Sequence, residues 1–123
     1  MTATLLVILA GLMGAGGVVL AAASAHAVPN AGLDSAGHML SLHAAALLGG
    51  AAILHAGLIW RPLGAIALFG LALGAALFAG DIALRAFAGH RLFPLAAPTG
   101  GTIMIVSWLA FAVAAIVGLS RGA

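Results

Sequence analysis

The sequence predicts an all-α integral membrane protein: a four-helix transmembrane bundle with up-down-up-down topology, formed by residues 1–123 as a single transmembrane domain. Of the 123 residues, 65% are hydrophobic and only 5% are charged, whereas soluble domains average about 45–50% and about 25%. So few charges cannot cover a water-exposed surface. In lipid, the backbone must satisfy its own hydrogen bonds, which helices and closed barrels do. The apolar runs are apolar on every face and lack the alternation of barrel strands, so helices are favoured.

Four apolar runs are long enough to cross the hydrocarbon core, which takes about 20 residues. We expect helices over residues 2–25, 35–60, 62–87 and 99–120. The first run has a second interpretation as a secretory signal peptide, because Ala23-Ser24-Ala25 resembles a cleavage site. It lacks a basic leading segment, however, and it exceeds the usual length of about 7–15 apolar residues. We therefore interpret it as a membrane helix.

The predicted connections carry turn-forming residues. Pro29-Asn30 is typical of a loop, and Asp34 or Ser35 is expected to cap the second helix. Trp60-Arg61-Pro62 predicts a short turn with an interfacial Trp and a Pro in the first turn of the third helix. In the third connection, Gly100-Gly101 permits either a close helix approach or an irregular start of the fourth helix, and the preceding Pro98 favours a break there.

The charges and the cysteine count exclude several classes of function. The net charge of +2 comes from four Arg and two Asp residues, which are scattered singly, so no basic patch indicates nucleic-acid binding. The absence of Cys excludes disulfides and thiolate metal sites. A chain without Lys and rich in Ala and Gly suggests a bacterial origin, and hence a multi-pass protein of the cell inner membrane. Expected partners are membrane lipids and either a larger membrane complex or further copies of the chain.

Four crossings place both termini at one end of the bundle and the first and third loops at the other. We call the loop end the polar end, because it collects most of the ionisable residues. These are His26, Asp34, His38, His43, Asp81, Arg85, His90 and Arg91, against Arg61, Arg121 and His55 at the terminal end. Each end has two Arg residues, so the positive-inside rule does not decide the orientation.

Several segments, in order along the chain, resemble one family of small membrane proteins, DUF423. Residues 21–27 (AAASAHA) resemble its "G-A-F-G-A-H" end of the first helix, and residues 42–48 (LHAAALL) its "Y-H-A-L-A-L-L". Residues 78–84 (FAGDIAL) lie where the family has "F-S-G-S-L-Y-L". Residues 97–101 (APTGG) with Ser107-Trp108 resemble "T-P-x-G-G…G-W". The resemblance implies a four-helix inner-membrane protein of unknown function.

The chain departs from this pattern at a few positions. Asp81 replaces a Ser of the family, Leu42 replaces an aromatic residue, and Ala and Ser replace the glycines before His26. The resemblance therefore supports the architecture and assigns no mechanism.

Three histidines at the polar end are weak candidates for a metal or proton site: His26, His38 and His43. Asp34 and His38 are four residues apart and share a helix face. His38 and His43, five residues apart, differ by about 140° around a helix and are not a local chelating pair. The alternative is that these side chains bond loop backbone and helix ends. Since spacing alone favours ligation, we expect no bound metal.

His43 is the leading single candidate because it is expected one to two turns inside the second helix, where an unbonded imidazole is costly. The expected partner is a carbonyl of a neighbouring helix or Ser24, and such a bond would hold the bundle together. Haem needs two facing histidines. His43 and His55 lie about 18 Å apart along one helix and cannot ligate one haem, so no cofactor is expected.

Asp81 and Arg85 form an i, i+4 pair of opposite charge on the third helix. Asp81 follows Arg61 by a rise of about 30 Å, the thickness of the hydrocarbon core. The pair is therefore expected near the membrane interface with a structural role. Trp108 falls mid-way along the fourth helix, where its indole N–H needs a buried acceptor, and Ser107 offers a second polar contact.

Small residues are frequent in the predicted helices, as in Gly70-x-x-x-Gly74, and they favour a tightly packed bundle. No nucleophile–base pair and no acidic pair at the membrane midplane is evident, so no enzymatic activity is expected. The leading interpretation is a non-enzymatic accessory or scaffold subunit of a membrane complex. The alternative is a small-solute transporter or a ligand- or metal-binding protein that uses the face with His26, His43 and Asp81.

Overall fold

The computed structural model describes residues 1–29 and 31–122. The described chain forms four helices and no strand: α1 (Thr2–His26), α2 (Leu33–Ala56), α3 (Arg61–Ala88) and α4 (Ala96–Ser120). All four are long and apolar enough to cross a membrane. The predicted all-α, multi-pass, four-helix membrane architecture is confirmed. Asn30, part of the predicted first loop, lies outside the described residues.

The boundaries of α2 differ from the prediction at both ends. The helix begins at Leu33, and its N-cap is Gly32 at φ 79°, with no side-chain cap. The prediction that Asp34 or Ser35 caps this helix is therefore wrong. The N-cap is Gly32, which precedes both residues in the chain. Asp34 instead lies in the first turn, where the positive end of the helix dipole stabilises a carboxylate. The helix ends at Ala56, because Gly57 adopts the left-handed conformation at φ 75°.

The start of α4 also differs from the prediction. The helix begins at Ala96 and continues without interruption through Pro98, Gly100 and Gly101, so the expected irregular start is wrong. Pro98 lies in the first turn, where its missing N–H would have no partner within the helix. In α3, Pro62 takes the same first-turn position, as predicted.

The helices pack as two hairpins, joined through the second helix of one hairpin and the first helix of the other. α1 packs along α2, α3 packs along α4, and the interface between α2 and α3 unites the pairs. α1 makes a smaller contact with α3 and, within the described chain, none with α4. The centre of the core is thus built from α2 and α3, with Leu47, Leu54, Leu68 and Leu71 fully or almost fully buried.

Glycines bring the two helices of each hairpin into backbone contact. A Cβ added at Gly37 of α2 would lie 2.8 Å from the carbonyl oxygen of Gly17 in α1. A Cβ added at Gly74 of α3 would lie 2.7 Å from the carbonyl oxygen of Gly100 in α4. Real side chains do not tolerate such distances, so only glycine permits these crossings. Gly74, and with it the Gly70-x-x-x-Gly74 motif, therefore packs inside the chain.

Candidate functional site

His43 and Trp108 form a hydrogen-bonded pair between α2 and α4. His43 is buried, with 3% of its surface exposed. Its Nδ1 lies 2.8 Å from the carbonyl oxygen of Met39, and Trp108 Nε1–H donates to its Nε2 over 3.1 Å. The two rings are tilted by 57° with centroids 5.9 Å apart. Both ring nitrogens of His43 are therefore engaged.

His43 lies further inside its helix than the sequence predicted, whereas Trp108 lies mid-way along α4 as predicted. His43 follows the first residue of α2, Leu33, by about 15 Å of helix rise, and Trp108 follows the first residue of α4 by about 18 Å. Both values are close to half of a core about 30 Å thick. The expectation of one to two turns was too shallow because α2 begins earlier than predicted.

The partners of His43 also differ from those expected. The bonded carbonyl belongs to Met39 of its own helix, and Ser24 is not bonded to His43. Ser24 instead lines a groove between α1 and α2. The buried acceptor that Trp108 was expected to need is the imidazole of His43. The contact with Trp108 could not be read from spacing, because α2 and α4 are related only through their packing on α3.

Asp81 is the second buried polar group, and its side chain is completely inaccessible. Its Oδ1 accepts a hydrogen bond from the Leu92 N–H over 3.1 Å. Its Oδ2 lies 3.6 Å from Arg85 Nε, and the Arg85 side chain is 41% exposed. The ion pair predicted from the i, i+4 spacing is formed. Oδ2 has no hydrogen-bond partner among the described residues.

Asp81 also holds the third loop against the bundle. Leu92 belongs to the connection between α3 and α4, eleven residues after Asp81. One carboxylate therefore joins the last turns of α3 to this loop and to Arg85. The sequence indicated the Arg85 contact, but the Leu92 contact uses a backbone amide that has no sequence signature.

The remaining polar-end histidines do not gather with His43. His26, His38 and His90 are exposed on α1, on α2 and in the third loop. Among residues 1–29 and 31–122, no three His, Asp or Glu side chains lie close enough to hold a metal ion. His26, His38 and His43, the weak metal candidates, are not brought together.

Two polar cavities are lined by residues from the first turns of α2. A groove of about 380 Å³ lies between α1 and α2 and is lined by small and polar residues: Ala21, Ser24, Ala25, Asp34, Gly37, His38 and Ser41. A second cavity, of about 330 Å³, is lined by Asp34, Ser35, His38 and Met39. His43 lines neither, but Met39 is one helical turn away from it. Met39, which lines the second cavity, is also the residue whose carbonyl is bonded to His43.

The other predicted packing residues have separate roles. Ser107 is buried on α4 beside Gly70 of α3, and Gly100 contacts Gly74. A Cβ at Gly101 would meet no atom within 4 Å, so Gly101 makes no such close contact. At the terminal end, Arg61 Nη1 donates to the Leu54 carbonyl over 2.8 Å.

Comparison with known proteins identifies a family. A family model described as "Protein of unknown function (DUF423)" matches residues 20–101, more than half of the chain. No curated protein and no solved structure shows a significant match. The matched range runs from the end of α1 to the first turns of α4 and includes His43 and Asp81. Together with the four membrane-spanning helices, this match shows that the chain belongs to the DUF423 family of proteins of unknown function.

Proposed function

We propose that this small membrane protein is a non-enzymatic accessory or scaffold subunit of a membrane complex in the bacterial inner membrane. The observation that carries the proposal is the use of the two buried ionisable groups, His43 and Asp81. His43 is bonded to Met39 and Trp108, and Asp81 is bonded to Leu92 and paired with Arg85. Because these side chains are already bonded within the chain, they support a structural role more than chemistry on a substrate.

The outer face of α2 is the surface that best suits a partner. Small residues line it at intervals of three or four and are exposed: Ser41, Ala45, Gly49 and Ala52. Leu42 and Leu48 flank this stripe and are also exposed. The outer faces of the other helices include large side chains, such as Val18, Leu73 and Leu109. Small residues let a second helix approach closely in lipid, so the proposed occupant is a transmembrane helix of a larger protein.

A pair of glycine substitutions tests this assignment. A Cβ at Gly49 of α2 or at Gly11 of α1 would meet no atom within 4 Å, so both positions are open. Gly49→Leu therefore leaves the fold of the chain unchanged and blocks close approach at the α2 face. Gly11→Leu is the matched control on the other helix of the hairpin. The measurement is the size and composition of the complex that the tagged chain forms in gently solubilised native membranes.

The expected result is one defined larger species with constant subunit ratio in the wild type and in Gly11→Leu, and its loss in Gly49→Leu. Loss of the partner's activity or abundance when the gene is deleted would add functional support. A chain that migrates as a monomer in all three samples contradicts the proposal. A species that contains only copies of this chain would assign the α2 face to self-association instead.

A second candidate function is favoured by one specific observation. A depression lined by Asp34, Ser35, His38 and Met39 lies at the start of α2, and Met39 is one helical turn from His43. A transporter or ligand-binding protein that uses His26, His43 and Asp81 would need this indentation to extend further. The chain has no Cys, so single cysteines at Met39 and Ala46 can be labelled with a membrane-impermeant thiol reagent. Labelling of both positions supports a continuous aqueous path, and labelling of Met39→Cys alone opposes it.

A further inference from the structure

The contacts of His43 permit only one protonation state. The Met39 carbonyl can only accept, so His43 Nδ1 must carry a hydrogen. The Trp108 indole nitrogen can only donate, so His43 Nε2 must present its lone pair. The bound imidazole is therefore the neutral Nδ1–H form, and a second proton can be added only at the nitrogen that Trp108 occupies.

We propose that the His43–Trp108 pair is a proton-operated latch between α2 and α4. A proton added to His43 Nε2 converts an acceptor into a donor, so it removes the Trp108 bond and sets two N–H groups against each other. The imidazolium keeps its bond to Met39, while the indole turns away from α2. The latch is closed when His43 is neutral and open when it is protonated, and this inference is independent of the proposed accessory role.

The packing around the pair leaves the Trp108 ring free to move. Within residues 31–122, the Trp108–His43 bond is the only side-chain hydrogen bond that joins α4 to α2. The backbones of α2 and α4 are not in contact, since each packs on α3. Trp108 is 42% exposed on the outer surface of the bundle. Its ring can therefore leave His43 towards the lipid without emptying the core, and it keeps its edge-to-face neighbour Phe111 on the same helix.

Few ionisable groups lie on the helices that form and surround the latch. α4 contains no ionisable side chain, and α1 contains only His26, in its last turn. The ionisable residues of α3 are Arg61, Asp81 and Arg85, of which Asp81 is already engaged by Arg85 and Leu92. The others on α2, apart from His43, are Asp34, His38 and His55. None of these side chains is hydrogen-bonded to His43 or Trp108.

The first turns of α2 carry exposed ionisable side chains, Asp34 and His38, on the way to the latch. Ser35, Met39 and His43 follow one another at four-residue intervals on α2 and therefore lie along one side of the helix. The cavity lined by Asp34, Ser35, His38 and Met39 brings polar groups to within one turn of His43. Acidification at this end of the membrane is therefore the stimulus that the geometry fits.

The test follows the indole N–H of Trp108 directly. The chain has two Trp residues, so Trp60→Phe leaves Trp108 as the one indole. This variant, labelled with nitrogen-15 and placed in lipid nanodiscs, is followed by NMR as the sample is acidified from about pH 8. We expect the hydrogen-bonded indole signal to shift upfield on acidification. Quenching of Trp108 fluorescence by lipids brominated at mid-chain is expected to rise over the same range.

Two histidine variants assign the transition. His43→Gln, made in the Trp60→Phe background, offers an amide that accepts the indole N–H but does not titrate, and it should abolish the pH dependence. His38→Gln removes an exposed histidine of the same helix and should preserve it. The latch is ruled out if the signal stays unchanged while the helical circular dichroism is retained, or if the transition survives in His43→Gln.

If the His43→Gln protein does not fold, a second measurement still tests the latch. Trp108→Phe removes the indole N–H without touching His43. The difference in thermal stability between the wild type and Trp108→Phe should be present at about pH 8 and lost at the acid end of the same titration. A difference that is the same at both pH values contradicts the latch.

Discussion

At the scale of single residues, the bundle places two ionisable side chains where lipid and helices exclude water. His43 and Asp81 are both buried, and a polar group in that position is costly unless it is bonded. Each is bonded in part by a backbone group, the Met39 carbonyl or the Leu92 amide. These bonds fix the orientation of both side chains, so substitutions there should act through the groups left unpaired.

Trp108→Phe should reduce stability because it leaves His43 Nε2 buried without its donor. The expected loss is about 1–3 kcal/mol in the free energy of unfolding, the cost of a buried acceptor left without a partner. Reversible unfolding in detergent micelles measures it, with Leu109→Phe on the exposed face of α4 as a control expected to be neutral. Equal losses for the two variants would show that the bond contributes nothing.

Asp81→Ala should release the third loop, because the Leu92 amide loses its acceptor. Loss of a hydrogen bond to a charged acceptor predicts a cost of about 1.5–3 kcal/mol. Asp81→Asn keeps an oxygen that can accept from Leu92 and should retain most of the loop contact. Hydrogen exchange at the Leu92 amide distinguishes the variants: faster exchange is expected in Asp81→Ala alone, and fast exchange in both would assign the contact to charge.

At the scale of the elements, glycines decide how closely the helices of each hairpin approach. Gly17 and Gly37 form the crossing of α1 and α2, and Gly74 and Gly100 that of α3 and α4. Lipid provides no hydrophobic drive for helices to associate, so close van der Waals contact must supply the stability. Glycines at the crossings and glycines on the outer surface should therefore respond differently to the same substitution.

Gly74→Ala should destabilise the α3–α4 hairpin, because the added Cβ would lie 2.7 Å from the Gly100 carbonyl oxygen. Overpacking of this kind costs about 1–3 kcal/mol. Gly11→Ala, at a position with no atom within 4 Å of the added Cβ, should be neutral or slightly stabilising. Thermal denaturation of both variants in one detergent provides the comparison. A neutral Gly74→Ala would mean that the hairpin tolerates a wider separation than the structure has.

At the scale of the whole molecule, four crossings make the two ends chemically different. The polar end carries Asp34, His38 and the loop held by Asp81, and it contains the two polar cavities at the start of α2. At the terminal end, Arg61 bonds the Leu54 carbonyl, and the Arg121 guanidinium lies 5.1 Å from the centre of the Trp60 ring. The arginines there are thus engaged in holding the end of α2 and the turn before α3.

The topology predicts which positions are accessible to a thiol reagent from the same side of the membrane. Because the chain has no native Cys, single cysteines at Ser35 and Gly89 should react with an impermeant thiol reagent from one side of sealed vesicles. Cysteines at Leu58 and Ser120 should react only from the opposite side. Vesicles of both orientations, with detergent-permeabilised samples as the control, complete the measurement. Labelling of Ser35→Cys and Ser120→Cys from the same side would contradict the four-crossing topology.

The sequence by itself determined the membrane environment, the number of helices and the ends at which the ionisable residues lie. These properties follow from hydropathy and length, which act residue by residue along the chain. The spacing of Asp81 and Arg85 also determined their ion pair, because both lie on one helix. Helix ends were predicted less well where a left-handed glycine, as at Gly57, stopped an apolar run.

Only the tertiary structure decided which side chains meet across helices. Trp108 and His43 are 65 residues apart in the chain, and their contact depends on how α2 and α4 rotate against α3. Whether Gly74 faces a neighbouring helix and Gly11 faces lipid depends on the same rotation. Helices that are apolar on every face carry little periodic signal for it, so this information resides in the packing of small residues and becomes visible only in three dimensions.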